Sequence, residues 1–495
     1  MPPKIDPQML PRFILGAGPW LVLLAIYAFG GRTPASLQLV TSAIWLALAL
    51  AGGMWLLSLD WKYMPWKLPW KDAKPREGNA PAGAAPSARR VDHRLSLITL
   101  TCWGGLIALQ WWGFKNPSFY PAGPDLYDGI YPLQSHPLLP TTADAIRGSK
   151  FLLLLAGILC WTLLTAHFAR DSKRAARSAL IVFLGFSLLA AVGALARLSG
   201  TDKILWIFES HTSYFFGTFF YKNHWAEQAV LMTALGIGLA RRFWRSERHA
   251  GHFPDRTVSF SSLVFVVALT IPLANARGGM LALSGVIMAL IIRLFRRQKL
   301  TEKKQWGPAL LTLCAALIGG GVFFVLSAPS LQKGIERTER QWLLYEQGES
   351  SKYPELRGYL WEDALRAFAD RPLAGWGIGS YAHIQLIYAG EKLRSMGDGT
   401  SPPLVEFTHN DYLQCLVEFG LLGSFLLVLP PLVAAIQVLR GHRLGILGSW
   451  ICIGLGAVLF TAAIDFPFGN PAITLSFCWL AGLAYANRQQ RNAAV

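Results

Sequence analysis

The sequence predicts an all-α, polytopic integral membrane protein, and three observations predict it. Fifty-three per cent of the 495 residues are apolar and only 15 % are charged, whereas a soluble globular domain carries roughly 25 % charged residues. Apolar runs of about 20 residues, the length that crosses a bilayer as a helix, recur along most of the chain. The stretches between these runs alternate in charge. Together these features exclude an ordinary soluble enzyme, a collagen-like chain and a disordered one.

Taken in order, residues 1–59 hold the first two of twelve expected spans, near 13–30 and 37–58. A short arm with Lys4 and Arg12 precedes the first. Gly30–Gly31–Arg32 offers no small-x-small cleavage site, so this span reads as a retained anchor. Residues 60–94, rich in Ala, Pro, Gly and basic residues without apolar period, read as a flexible cytoplasmic linker. Residues 95–326 hold the next seven spans, near 95–113, 149–169, 178–197, 225–240, 258–275, 279–294 and 306–326. Within them, the aromatic segment 200–228 is too interrupted to span, and a helix lying on the exoplasmic surface is expected near 200–224. Residues 327–408 form a partly helical exoplasmic cap loop. An amphipathic stretch opens there at Arg357–Gly358–Tyr359–Leu360–Trp361 and runs to Ala369, and Pro372 and the GWGIGS of 375–380 end it. Residues 409–495 supply the last spans, near 411–435, 444–463 and 471–486.

The loops expected on one side carry 29 of the 46 basic residues and 9 of the 29 acidic ones, a net of +20, while the rest of the chain is at −3. Basic loops stay on the cytoplasmic side, so both termini are placed in the cytoplasm. The formal charge of +17 therefore reports orientation in a bilayer, and nucleic acid is not needed to explain it. No cysteine pair has C-x-x-C spacing, and His249-x-x-His252 lies in a basic loop without a carboxylate or thiol cluster. Neither a disulfide framework nor a metal site is indicated.

Polar groups at the exoplasmic ends of spans are costly to hold at membrane depth, so they are the candidates for function. Thr408–His409–Asn410–Asp411 starts a helix with capping-box spacing, which puts His409 in the first turn. A helix N-terminus disfavours imidazolium, so a neutral His409 able to accept a proton is expected; a plain capping histidine fits the same spacing. Gly420 and Gly423 fall on the same helical face and leave it bare for close approach of a lipid chain or a second helix, while Glu418 faces the other way, toward another helix. Arg277, in a short exoplasmic turn followed by Gly278 and Gly279, suits bidentate binding of phosphate or diphosphate; snorkelling to lipid headgroups is the alternative. Lys222, in Tyr221–Lys222–Asn223–His224–Trp225, is a second cation that either faces an anionic headgroup or anchors at the interface. Arg357 and Asp465 are weaker candidates of the same kind.

These residues resemble the paired signatures of the bacterial O-antigen ligase/polymerase superfamily: His409-Asn410 followed after nine residues by Gly420-x-x-Gly423, together with Arg277-x-x-x-Leu281. GTFFYKNHWA, RGYLWEDALRAFADRPLAGWGIGSY and DFPFGNPAI resemble further stretches of that family, and the likeness runs from about residue 200 to 486. The chain departs from it at Lys222, where many members have Arg between two Asn. The resemblance implies a membrane glycosyltransferase in a bacterial inner membrane, with its active site facing the periplasm. Its donor would be a glycan on polyprenyl, typically undecaprenyl, diphosphate, transferred with inversion and with no nucleotide, metal or other cofactor. In these terms His409 and Arg277 are the catalytic candidates; Arg277, Lys222, Arg357 and Asn410 bind the donor diphosphate; Gly420 and Gly423 allow close helix approach. Lipid A–core is the first acceptor to consider, which makes a ligase. A growing glycan (polymerase) or a protein hydroxyl (oligosaccharyltransferase) would serve the same machinery. A lipid-linked glycan flippase is the reading from another class, but the internal repeats of such transporters are not seen. A single chain is expected to enclose its own cavity.

Overall fold

Apolar runs in lipid must satisfy every backbone N–H and C=O internally, which leaves the helix as the economical answer. The computed structural model describes residues 8–28, 30, 33–58, 86–121, 130–136, 139–210, 214–251, 254–298, 325, 332, 336, 356–394 and 404–490. The span expected near 306–326, residues 60–85 of the expected linker and much of the expected cap lie outside them, 325 apart.

Among the described residues, eight helices precede the cap: α1 Met9–Tyr27, α2 Pro34–Ser58, α3 Pro86–Gly113, α4 Ala145–Phe168, α5 Ser172–Leu198, α6 Lys222–Ala250, α7 Asp255–Leu273 and α8 Arg277–Gln298. The cap contributes α9 Leu356–Asp370, α10 Tyr381–Tyr388 and α11 Glu391–Arg394. Three more follow: α12 Asp411–Gly441, α13 Ile446–Thr461 and α14 Pro471–Ala486. Seven of these, α1 to α5, α7 and α12, are long and apolar enough to cross a membrane. The chain is an all-α polytopic membrane protein; among the described residues two short antiparallel strand pairs form, Phe119–Pro121 with Ile130–Pro132 and His442–Arg443 with Gln489–Gln490.

Local chemistry sets several boundaries. Asp144 and Asp171 cap α4 and α5 by accepting from first-turn backbone N–H groups, and Asn470 does the same for α14, with Pro471 at its first position. Gly251 ends α6 in the left-handed region. Helix α6 is the centre of the bundle, with every residue from His224 to Gly236 buried, and α5, α7, α8, α13 and α14 pack around it. Small residues allow the closest approaches: a Cβ on Gly279 of α8 would lie 2.4 Å from that of Ala226, and one on Gly454 of α13 would lie 2.9 Å from that of Ala234.

Two expectations are corrected. The described part of 200–221 is not a helix but a run of turns closed by the bridges Ile204–Phe208 and Phe216–Phe219. Leu205 and Trp206 have positive φ, and Gly217, also at positive φ, lies flat against Trp225, with no room for a side chain. Apolar composition without helical period does not specify a helix. Helix α12 is also not continuous. Gly420 breaks it at φ 63°, ψ −173°, a region open in practice to glycine alone.

The cap loop fills that break. Leu421 and Leu422 N–H donate to the carbonyls of Pro372 and Leu373, while Trp376 and Gly377 N–H donate to those of Val417 and Glu418. Gly375 and Gly420 meet backbone to backbone, and a Cβ on Gly375 would lie 2.5 Å from the nitrogen of Gly420. The glycines of the GWGIGS run thus let the loop re-pair groups that the helix leaves open. Elsewhere the cap is fastened to the ends of α3 and α4. Ile378 N–H donates to Gln110, Ala143 N–H donates to Ser380, and Arg147 pairs with Glu406. Buried His383 donates to Asp144 at 3.2 Å. Burial alone would raise the Asp144 carboxyl, but the His383 contact and the Arg147 backbone N–H hold it below the usual carboxylate range.

Candidate active site

The start of α12 is built by Asn410. Its Oδ1 accepts from the N–H groups of Tyr412 and Leu413 at 3.0 and 3.1 Å, which is the N-cap pattern. Thr408 N–H donates to Gln414 Oε1 at 2.9 Å. The box therefore closes through Gln414, and Asp411 instead accepts from Phe468 N–H. His409 is accordingly not in the first turn, as the spacing predicts, but outside the helix at φ 54°. A non-glycine residue held in the left-handed region is uncommon; Leu205, Trp206 and Asn275 are the other cases among the described residues.

The hydrogen-bond partner of the His409 ring is a carboxylate rather than a helix end. Its Nδ1 lies 3.3 Å from Asp465 Oδ1. An ionised carboxylate only accepts, so Nδ1 carries a proton, and in the neutral imidazole it is Nε2 that presents the lone pair. The His409 side chain keeps 20 % of its surface exposed, against 6 % for Asp465.

Asp465 gathers partners from four elements. Beyond His409, its oxygens accept from Asn223 Nδ2, at the start of α6, and from the N–H of Phe466. Arg357, on the first turn of α9, lies 3.5 Å from Oδ2 and also donates to the carbonyl of Ile464. Burial alone would push the Asp465 carboxyl up. The His409 hydrogen bond and the positive charge of Arg357 outweigh it and hold the group below its usual range. Trp361 of the same cap helix donates to the Thr408 carbonyl at 3.0 Å, which fixes the residue before His409.

The cations are distributed around this core. Arg277 opens α8 with its side chain exposed, after Asn275 at positive φ. A Cβ on the next residue, Gly278, would lie 3.8 Å from Ile464, so the α8 start adjoins the turn that carries Asp465. Lys222 is half-buried at the first position of α6, its ammonium 5.3 Å from the Tyr214 ring centre. His409, Arg357 and Asp465 are thus brought into one network, and the chain next to Arg277 adjoins it at Ile464.

Gly420 and Gly423 have other roles. Gly420 is the break that receives the cap loop, so the expected bare face through it does not exist. Gly423 abuts Phe419 and Leu106 of α3. Glu418 accepts from Gln414 and from the N–H of Tyr381, at the start of α10. Sequence reasoning passed over Glu227, buried one turn below Asn223 with Oε2 unpaired among the described residues. An acidic residue inside an apolar run was the available signal. Among the described residues, no group of three or more His, Cys, Asp or Glu is placed to hold a metal ion.

Residues 262–428 match the family model described as O-antigen ligase. The matched stretch includes Arg277, Arg357, His409, Gly420 and Gly423, and leaves Lys222 and Asp465 outside it. No curated protein matched the sequence.

Proposed function

We propose that this chain, whose residues 262–428 match the family model described as O-antigen ligase, is a glycosyltransferase of bacterial inner membranes that works at the periplasmic face. Its donor is a glycan on a polyprenyl diphosphate, undecaprenyl diphosphate first among them. Its acceptor is a hydroxyl, that of lipid A–core in the ligase reading. The observation that supports this reading is the pairing of His409 with Asp465, with the cation Arg357 on the same carboxylate.

The chemistry follows from those groups. The acceptor oxygen attacks the anomeric carbon as its proton passes to Nε2 of His409. The bond between that carbon and the diphosphate oxygen breaks, and the anomeric centre inverts because attack and departure are on opposite faces. The departing diphosphate carries the bond's electron pair, and Arg277, with Lys222 and Arg357, stabilises the added charge. Asp465 keeps the proton on Nδ1 before transfer and offsets the imidazolium afterwards. Arg277 suits the donor end because a guanidinium meets a diphosphate through two parallel hydrogen bonds. Asn410 contributes by starting α12 where it does, so that His409 stands clear of the helix.

The acceptor is tested by deleting the gene and inspecting the envelope. Loss of capped lipopolysaccharide with accumulation of polymer on the lipid carrier supports the ligase. Single unpolymerised repeats would make the enzyme a polymerase, and loss of a glycoprotein would make it a protein oligosaccharyltransferase. An unchanged set of surface glycans would contradict the proposal.

A further inference from the structure

A three-ring stack stands behind His409, and none of its rings was among the site residues that the sequence offered. Phe466 is 6 % exposed and lies between Phe407 and Tyr221. Its ring centre is 4.7 Å from Phe407 with an interplanar angle of 11°, and 5.4 Å from Tyr221 with an angle of 20°. His409 meets the middle ring perpendicularly, at 4.6 Å and 89°. The three rings come from three places in the chain: the approach to α12, the approach to α6, and the turn between α13 and α14. Gly469 backs Phe407, where a Cβ would lie 2.7 Å from the ring, and the Phe466 carbonyl is 3.2 Å from His224 Nε2. The stack is therefore clamped from several sides.

Such a clamp supplies what the carboxylate cannot. One hydrogen bond from Nδ1 to Asp465 is a pivot, about which the imidazole can still turn and swing Nε2 away from an acceptor. A perpendicular ring contact is directional, because the positive edge of one ring meets the negative face of the other. Hydrogen bond and ring contact together define both the position and the plane of the imidazole. The Phe466 N–H also donates to Asp465 Oδ1, the oxygen facing His409. Carboxylate and ring are thus presented by two consecutive residues.

We propose that Phe466, held in the stack by Tyr221 and Phe407, is a positioning residue that fixes the plane of the His409 imidazole and so aims Nε2 at the acceptor hydroxyl. This rests on His409 being the proton acceptor of the transfer. Phe466 touches no reacting atom and acts through His409 alone. Its removal lowers turnover and leaves donor binding intact, because a misdirected base costs rate rather than affinity.

The test is a mutant cycle on purified protein in nanodiscs. The donor is polyprenyl-diphosphate glycan extracted from host membranes, and the acceptor is host lipopolysaccharide core. Wild type, Phe466→Leu, His409→Ala and the double variant are compared for kcat, donor KM and melting temperature. Phe466→Leu is expected to lower kcat by about 10- to 100-fold with donor KM unchanged, and to add nothing to His409→Ala. Phe466→Tyr, which keeps the ring, restores turnover. Wild-type kcat in Phe466→Leu, or the same fractional loss in the His409→Ala background, overturns the assignment. If Phe466→Leu does not fold, Tyr221→Leu, which frees one face of the ring, is put through the same cycle, and additivity with His409→Ala overturns the proposal. Wild-type turnover in His409→Ala is the separate result that would remove the underlying reading.

Discussion

His409 Nδ1 lies 3.3 Å from Asp465 Oδ1, although the two residues stand 56 positions apart and on opposite sides of α13. The contact selects one tautomer of the histidine and leaves Nε2 as its acceptor. Replacing Asp465 by Asn keeps the shape and removes the charge, and an amide can then stabilise the wrong tautomer. Asp465→Asn is expected to lower kcat by between about 10- and 10⁴-fold, the upper figure being the cost of a misprotonated imidazole in a catalytic triad. Donor KM changes little. Steady-state kinetics on the reconstituted variant check both parts.

The same carboxylate makes stability depend on pH. The pKa of Asp465 is lowered in the folded protein, so its contribution is fully present above the usual carboxylate range. It is lost as pH falls below that range and through the depressed folded value. Wild type should therefore melt higher than Asp465→Asn at neutral pH, with the gap closing in acid. Melting temperatures in detergent from pH 7 down to pH 3 measure it, and a gap that widens in acid would contradict the assignment.

Gly420 allows no side chain. It has φ 63°, and an added Cβ would lie 2.4 Å from the Leu373 carbonyl oxygen. Gly420→Ala should destabilise the docked cap by about 1–3 kcal/mol, the usual cost of such a backbone conformation, and expose 371–377 to protease. Gly285, where an added Cβ meets nothing within 4 Å, is the control. Its Ala variant is expected to match wild type in limited proteolysis.

Arg277 tests the donor end. If its two parallel hydrogen bonds hold the diphosphate, Lys keeps the charge but loses the fork. Arg277→Lys is then expected to sit close to Arg277→Ala, each with kcat/KM for the donor lower by at least about tenfold, since a hydrogen bond to a charged group contributes roughly 1.5–3 kcal/mol. Full rescue by Lys would show that charge alone suffices.

Hydropathy and charge alternation were enough to expose the all-α membrane class, because each span has to satisfy its own backbone. His409 was visible for a local reason: Thr, His, Asn and Asp crowd the start of an apolar run. Asp465 was visible as a polar residue near a span, but its partnership was not, since nothing local joins 409 to 465. The helical-wheel argument at Gly420 assumed an unbroken α12. Only the distant 371–377 loop, by pairing with the opened turn, makes the break affordable. Composition misleads at 200–221, where the described turn at Gly217 packs on Trp225, a tertiary contact that no local pattern announces. Asp144 with His383 escaped notice for the same long-range reason.

If His409 accepts the proton of the attacking hydroxyl, its removal must slow transfer of labelled glycan from polyprenyl diphosphate to lipopolysaccharide core, measured for wild type and His409→Ala in the same nanodiscs. The variant is expected to bind donor normally and to transfer about 10²- to 10⁴-fold more slowly. Transfer at the wild-type rate would contradict that role.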